Sequence, residues 1–243
     1  MRSAAAPTTM LTPSPLAGNI VASRRLAYIY INNPKCGCST VRQTLWAAEH
    51  ALGLADAPGS IHTEPDSWPW VDDSQRWEHN EQAFVFTLVR NPYARVLSAY
   101  LDKIRDPNVW EPFAARHGLG DTQVSFIEFL RLIADEPPDQ MDMHWRPQSH
   151  IVAPRVVPYD FIGTMESFEQ DLWHILKCIF RREMPISVLR PHRTDAVERL
   201  AEYGPERSTE LFLQLTQQFQ RLHIILINAA DQHLHTCRFI LSK

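Results

Sequence analysis

The 243-residue chain is 44% hydrophobic and 21% charged, which suits one α/β domain with a sizeable core and excludes wholesale disorder. Its formal net charge of −4 excludes a broad basic surface for duplex nucleic acid, although a net sum hides local cationic pockets. No apolar run approaches the roughly 18–20 residues that span a bilayer, and the four cysteines lack the spacing of a zinc ribbon or a disulfide scaffold, so the cytoplasm is the expected compartment.

Residues 1–24 are small, polar and Pro-rich, without the apolar core of a signal peptide, and are expected to form a disordered leader. Residues 25–243 contain no internal repeat and no dividing linker and read as a single domain. Residues 26–31, LAYIYI, form a nearly continuous apolar run, as in a buried parallel strand. NNPKCGC breaks it, and Ser39 and Thr40 stand where N-caps belong, ahead of the helical VRQTLWAAEHAL. Residues 57–82 read as irregular connection. A second strand, AFVFTLV at 83–89, runs through Arg90-Asn91-Pro92 into a helix from about Tyr93 to Arg105, whose Val96, Leu97, Tyr100, Leu101 and Ile104 share one face. Two strand–loop–helix units predict a parallel sheet with crossovers. Further helices are expected at 125–134, at 167–180 with a Ser167–Gln170 capping box, and at 206–229, with a short strand in PYDFIGTM at 158–165. The fold class is therefore α/β, with a central parallel sheet flanked by helices.

Two loops carry the chemistry. Pro34-Lys35-Cys36-Gly37-Cys38-Ser39-Thr40 leaves a strand and enters a helix, whose first turn offers unpaired amides and the positive end of a dipole. Gly37 permits close backbone approach, Ser39 and Thr40 add hydroxyls, and Lys35 adds a mobile cation; together they form a cradle for phosphate or sulfate. The Lys precedes the Gly, so this is not the G-x4-G-K-[ST] pattern. Arg90 stands at the mouth of the second strand, where its planar fork suits a phosphate, and Ser98 follows on the helix. Arg95 is either a further cation or an ordinary surface residue. Two separated grips at the carboxyl ends of two strands suit a nucleotide phosphorylated at both ends of its ribose.

PKCGCSTVRQTLW resembles the 5′-phosphosulfate loop of the sulfotransferases, and FTLVRNPYARVLSAYLDKI resembles their 3′-phosphate loop. The likeness is to the carbohydrate sulfotransferases of the chondroitin and HNK-1 branch and their bacterial relatives. DMHWRPQ, Asp142 to Gln148, resembles that branch's D-x-H-W-x-P-Q segment, and YDFIGTME, Tyr159 to Glu166, its YDFIG-x-x-E segment, with Asp171 matching the acidic residue that follows. The resemblance covers about residues 26–180. It implies a P-loop-like three-layer fold and 3′-phosphoadenosine 5′-phosphosulfate (PAPS) as sulfate donor. Lys35, Cys36, Gly37, Cys38, Ser39 and Thr40 would then hold the 5′-phosphosulfate, and Arg90 and Ser98 the 3′-phosphate.

Sulfuryl transfer is in-line displacement, and Lys35 is the candidate to stabilise the leaving oxygen. No metal is expected. A hydroxyl acceptor needs a general base; the resemblance implies a His between the two phosphate loops, which makes His62 the first candidate, with His144 the second. Trp68, Trp70, Trp77 and Trp145 suit either a sugar platform or the core. The acceptor expected is a carbohydrate or another hydroxylated molecule. A small-molecule kinase would want a Walker-type Lys-Ser/Thr and a magnesium carboxylate, and neither is evident; a non-catalytic nucleotide-binding relative is the other alternative. The C-terminal tail lacks the Tyr, Asp-Phe and Gly-Tyr pattern usual in relatives, and Arg193-Thr194 stands where a further nucleotide contact would be sought.

Overall fold

The computed structural model describes residues 16, 18–62, 69–71, 82–106, 110–187, 195–196 and 198–203. Among them a five-stranded sheet runs in the order β3-β1-β2-β4-β5, built from β1 (Ile20–Ser23), β2 (Tyr28–Ile31), β3 (Trp70–Val71), β4 (Phe84–Val89) and β5 (Phe161–Thr164). The helices are α1 (Cys38–Ala51), α2 (Pro92–Ala99), α3 (Glu111–His117), α4 (Phe126–Ala134), α5 (Gln148–Val152), α6 (Phe168–Phe180) and α7 (Leu200–Tyr203), and a π-helical turn, Tyr100–Ile104, continues α2.

The strands β2, β4 and β5 pair in parallel, with Ile31 opposite Thr87 and Val89 opposite Thr164. Their carboxyl ends therefore lie side by side. The expected parallel centre is present, but the whole sheet is mixed, because β1 is antiparallel to both β2 and β3. Only residues 24–27 join β1 to β2, and so short a link can return the chain only antiparallel. Ser23 Oγ closes this turn by accepting the amides of Arg25 at 3.2 Å and Leu26 at 3.0 Å. β1 also corrects the extent of the expected leader: Ile20–Ser23 is a buried strand, since its short apolar run has a partner in β2. Residues 1–15 lie outside the described residues.

Alternate residues of the central strands feed two cores. Tyr28, Tyr30, Phe86, Leu88 and Phe161 pack with α1 and α6, while Ile29, Ile31, Val85, Val89 and Ile162 pack with Ile151 and Val152 of α5. Burial on both faces is why these strands read as continuous apolar runs rather than alternating ones. A third core joins α2, the π-helical turn, α3 and α4 around Tyr100, Phe113, Phe126 and Phe129. Trp145 belongs to it, meeting Phe113 and Phe129 edge-on at 5.6 and 5.5 Å, so this indole is packing and not a sugar platform. Trp68, Trp77, Arg193, Thr194, Cys237 and the helix expected at 206–229 lie outside the described residues.

The start of α6 differs from the expectation. Ser167 precedes α6 but makes no side-chain cap; its amide instead donates to Thr164 Oγ1 at 3.2 Å. The capping box forms at α4, where Glu128 N donates to Ser125 Oγ at 3.3 Å and Ser125 N to Glu128 Oε2 at 2.7 Å. No helix among the described residues is long and apolar enough to cross a membrane.

Glu49 is a buried carboxyl on α1. It accepts the Tyr28 hydroxyl at 2.7 Å, and its Oε2 has no hydrogen-bond partner among the described residues. Burial raises its pKa above the usual carboxylate range, against the opposing hydrogen bonds of Tyr28 and Ser23. Folding thus binds a proton here, so stability present at low pH is lost as pH rises through the raised folded value. Glu49→Gln is expected to flatten that loss when Tm is followed from about pH 4 to about pH 8; a variant keeping the wild-type slope would refute the assignment.

Candidate active site

The chain leaves β2 at Ile31 and reaches α1 through Asn32 to Gly37. Lys35 and Gly37 both adopt left-handed backbone, φ 68° and 71°, which curls the loop around the residues between and beside them. Gly37, not Ser39 or Thr40, occupies the N-cap position; α1 begins at Cys38, with no side-chain cap and no acidic residue in its first turn. Cys38, Ser39 and Thr40 therefore present that first turn, and the positive end of its dipole, at the mouth of β2. A Cβ on Gly37 would meet Phe168 Cε2 at 2.5 Å and Met165 Sδ at 3.0 Å. The glycine is needed for packing on the β5–α6 junction as well as for its φ.

Cys36 departs from its expected role. Its side chain is fully buried, its thiol donates to Gln148 Oε1 at 3.3 Å, and its amide donates to Asn33 O at 3.2 Å. Both donors are spent internally, so Cys36 shapes the loop and has nothing left for a ligand. Burial pushes its thiol up to about 12, which keeps it neutral and unreactive.

The second loop leaves β4 beside the first. Asn91 caps α2, its Oδ1 accepting the amides of Tyr93 at 3.0 Å and Ala94 at 3.2 Å, with Pro92 at the first helical position. Arg90 crosses to the first loop and donates from Nη1 to Lys35 O at 3.2 Å. Its Nε is buried and has no hydrogen-bond partner among the described residues. Glu166, at the end of YDFIGTME, accepts the Asn91 amide at 2.8 Å and braces this loop from the β5 side.

Arg95 is neither a ligand cation nor a surface residue. It is 3% exposed, and its guanidinium donates to Pro34 O at 2.9 Å, Arg146 O at 2.7 Å and Met143 O at 2.7 Å. It binds the first loop to the DMHWRPQ segment. Ser98 is also buried on α2, and one turn later Asp102 pairs with Lys35, Nζ to Oδ2, at 3.0 Å. Lys103 approaches the same oxygen at 3.4 Å. Burial alone would raise the Asp102 carboxyl, but the two ammoniums hold it below its ordinary value. Lys35, Arg90 and Arg95 thus converge on one end of the sheet, with Ser98 on α2 one turn before Asp102.

Both candidate histidines border this region. Ile61 is buried against α1, and it sets the exposed His62 with Nε2 3.4 Å from Ser39 Oγ. His144 is turned toward Asp142, which accepts from its Nδ1 at 2.6 Å and from its amide at 2.8 Å. Burial would raise the Asp142 carboxyl, yet these hydrogen bonds keep it lower than usual.

A protein-family model described as "Sulfotransferase family" matches residues 19–235. The chain belongs to the sulfotransferase family. Relatives include "Carbohydrate sulfotransferase 14" of Danio rerio, 28% identical over 180 residues covering 67% of this chain and 48% of the relative. The Mus musculus protein of the same name is 30% identical, covering 68% and 47%. "Carbohydrate sulfotransferase 8" of Mus musculus is 29% identical over 224 residues, covering 84% and 53%. The chain spans about half the length of the curated relatives it matches. No solved structure gives a significant match.

In this family member, several residues that build the site were not singled out in the sequence. Asp102, Asp142, Gln148 and Glu166 are polar side chains inside or beside the four motifs, and motif membership was the only signal they carried. Their partners come from other elements, at separations only the fold closes.

Proposed function

We propose that the protein transfers a sulfuryl group from PAPS to a hydroxyl of a carbohydrate. The observation that carries this reading is the meeting of the two loops, Arg90 Nη1 on Lys35 O at 3.2 Å, which brings two anion grips into one site. The residues fit a doubly phosphorylated donor. Lys35, Gly37, Cys38, Ser39 and Thr40 would hold its 5′-phosphosulfate at the first turn of α1. Arg90, whose buried Nε lacks an acceptor among the described residues, and Ser98 would hold the 3′-phosphate. The carbohydrate acceptor class follows from the relatives' names.

The donor supplies a sulfuryl group activated by its bond to phosphate. Lys35 neutralises charge on the bridging oxygen as its bond to sulfur breaks. A histidine takes the proton of the acceptor hydroxyl as the new sulfur–oxygen bond forms. His62 is assigned this role because it borders the first turn of α1; His144, oriented by Asp142, is the second candidate.

The test is transfer of labelled sulfate from PAPS to a glycan panel. Phosphate transfer from ATP and magnesium, or tight binding of adenosine 3′,5′-bisphosphate with no sulfate transfer to any acceptor, would overturn the reading. His62→Ala is expected to lower kcat about 10²–10⁴-fold, the usual contribution of a general base, with bisphosphate affinity retained. If His144→Ala, not His62→Ala, removes the acidic limb of the pH–rate profile, the base is His144.

A further inference from the structure

Gln148 sits at the point where the two loops touch, and no reading of donor or acceptor chemistry uses it. It is 6% exposed, and every polar atom of its side chain is committed. Oε1 accepts from Asn33 Nδ2 at 3.0 Å, Cys36 Sγ at 3.3 Å and the Arg90 amide at 2.9 Å. Nε2 donates to the Arg90 carbonyl at 2.8 Å. One primary amide therefore pairs with both backbone groups of Arg90, as a neighbouring strand would, while the same oxygen holds two side chains of the loop after β2. Asn33 extends the clamp by donating to Leu88 O at 3.0 Å. Around the clamp, Arg90 Nη1 reaches Lys35 O and Arg95 Nε reaches Pro34 O.

We infer that Gln148 is a positioning residue that fixes the spacing between the two phosphate grips, and that this spacing is what makes the protein discriminate a 3′,5′-bisphosphorylated nucleotide from a 5′-monophosphate. The inference rests on the nucleotide site proposed above. A ligand held at two points gains from the second contact only if both grips are already at the right separation; a loose separation turns that gain into an ordering cost. Asparagine, one carbon shorter, would not span the four partners. An apolar residue of similar size would fill the space but release Arg90 and leave the Cys36 thiol and one of the two Asn33 amide hydrogens without their acceptor in the interior. A glutamate keeps acceptors for three donors, but its ionised form has no proton for the Arg90 carbonyl; protonated, it reproduces the whole set.

The experiment is titration of the full-length protein with adenosine 3′,5′-bisphosphate and with adenosine 5′-monophosphate, in wild type, Gln148→Met and Gln148→Glu. Wild type is expected to prefer the bisphosphate. Gln148→Met is expected to reduce that preference roughly tenfold or more, the bisphosphate losing more affinity than the monophosphate, which needs only the first loop. In Gln148→Glu the preference should return toward wild type as the pH falls, measured beside wild type to remove the titration of the ligand itself. A Gln148→Met protein that binds both ligands with the wild-type ratio overturns the inference while leaving the nucleotide site standing. Equal loss of both ligands in Gln148→Met, with a pH-independent preference in Gln148→Glu, marks Gln148 as merely structural and also overturns it. A wild type with no preference for the bisphosphate overturns the nucleotide site and this inference with it.

Discussion

Lys35→Ala is expected to lower kcat for sulfuryl transfer about 10²–10³-fold, the range found when a preorganised donor to developing charge is removed. Its effect on the Kd of adenosine 3′,5′-bisphosphate should be smaller, because that ligand carries a 5′-phosphate but no breaking sulfur–oxygen bond. The physical basis is the placement of the ammonium. The Lys35 side chain is 9% exposed, and Asp102 holds Nζ at 3.0 Å, so the charge is already positioned in a partly desolvated site where a Coulomb interaction is stronger than in water. The variant should still fold. Asp102 keeps Lys103 at 3.4 Å, and an alanine in left-handed backbone costs about 1–2 kcal/mol whatever its side chain, a cost Lys35 itself already bears. Labelled-sulfate turnover and a bisphosphate titration separate the two effects. A variant whose kcat is unchanged while only Kd rises would remove Lys35 from the transfer step.

Arg95→Met is expected to be the most destabilising single change at the site, by about 3 kcal/mol. The guanidinium is nearly inaccessible, and three carbonyls from two separate segments converge on it at 2.7–2.9 Å. Methionine restores most of the volume but none of the donors, so Pro34, Met143 and Arg146 lose a charged partner in an interior where water cannot replace it. Removing a desolvated charge offsets part of this loss, which is why the estimate stays below the sum of three charged hydrogen bonds. Urea unfolding gives the number directly. A loss under about 1 kcal/mol would mean that water reaches these carbonyls after all. Arg90 provides the contrast. With one side-chain bond, to Lys35 O, and a buried Nε lacking a partner among the described residues, its replacement is expected to cost ligand affinity more than stability.

Local signals carried the elements but not their caps. The runs LAYIYI and AFVFTLV became β2 and β4 because continuous apolarity reports burial on both faces, and that pattern depends on nothing outside the run. Ser39 and Thr40 carry good capping side chains, yet the N-cap of α1 is Gly37, which owes its place to φ and to Phe168 on a distant helix. The Ser167–Gln170 box does not form; the Ser167 amide donates to Thr164 Oγ1 instead. The π-helical turn at Tyr100–Ile104 had no local signature, yet it contains Asp102, the partner of Lys35.

What the order of residues determined on its own was the kind of chemistry: a strand, a turn with Lys and Gly, a helix start, then a second strand ending in Arg. Each feature is decided within about a dozen neighbours by chain geometry and side-chain type. The tertiary structure alone decided how these parts are divided between ligand and scaffold. Cys36 and Arg95, both inside the motifs, turned inward to Gln148 and to three carbonyls, while Arg90 keeps a donor, Nε, unmet among the described residues. That division depends on which residues arrive from 48 to 112 positions away, and burial, which sets the energy of an unpaired polar group, exists only once those segments have met.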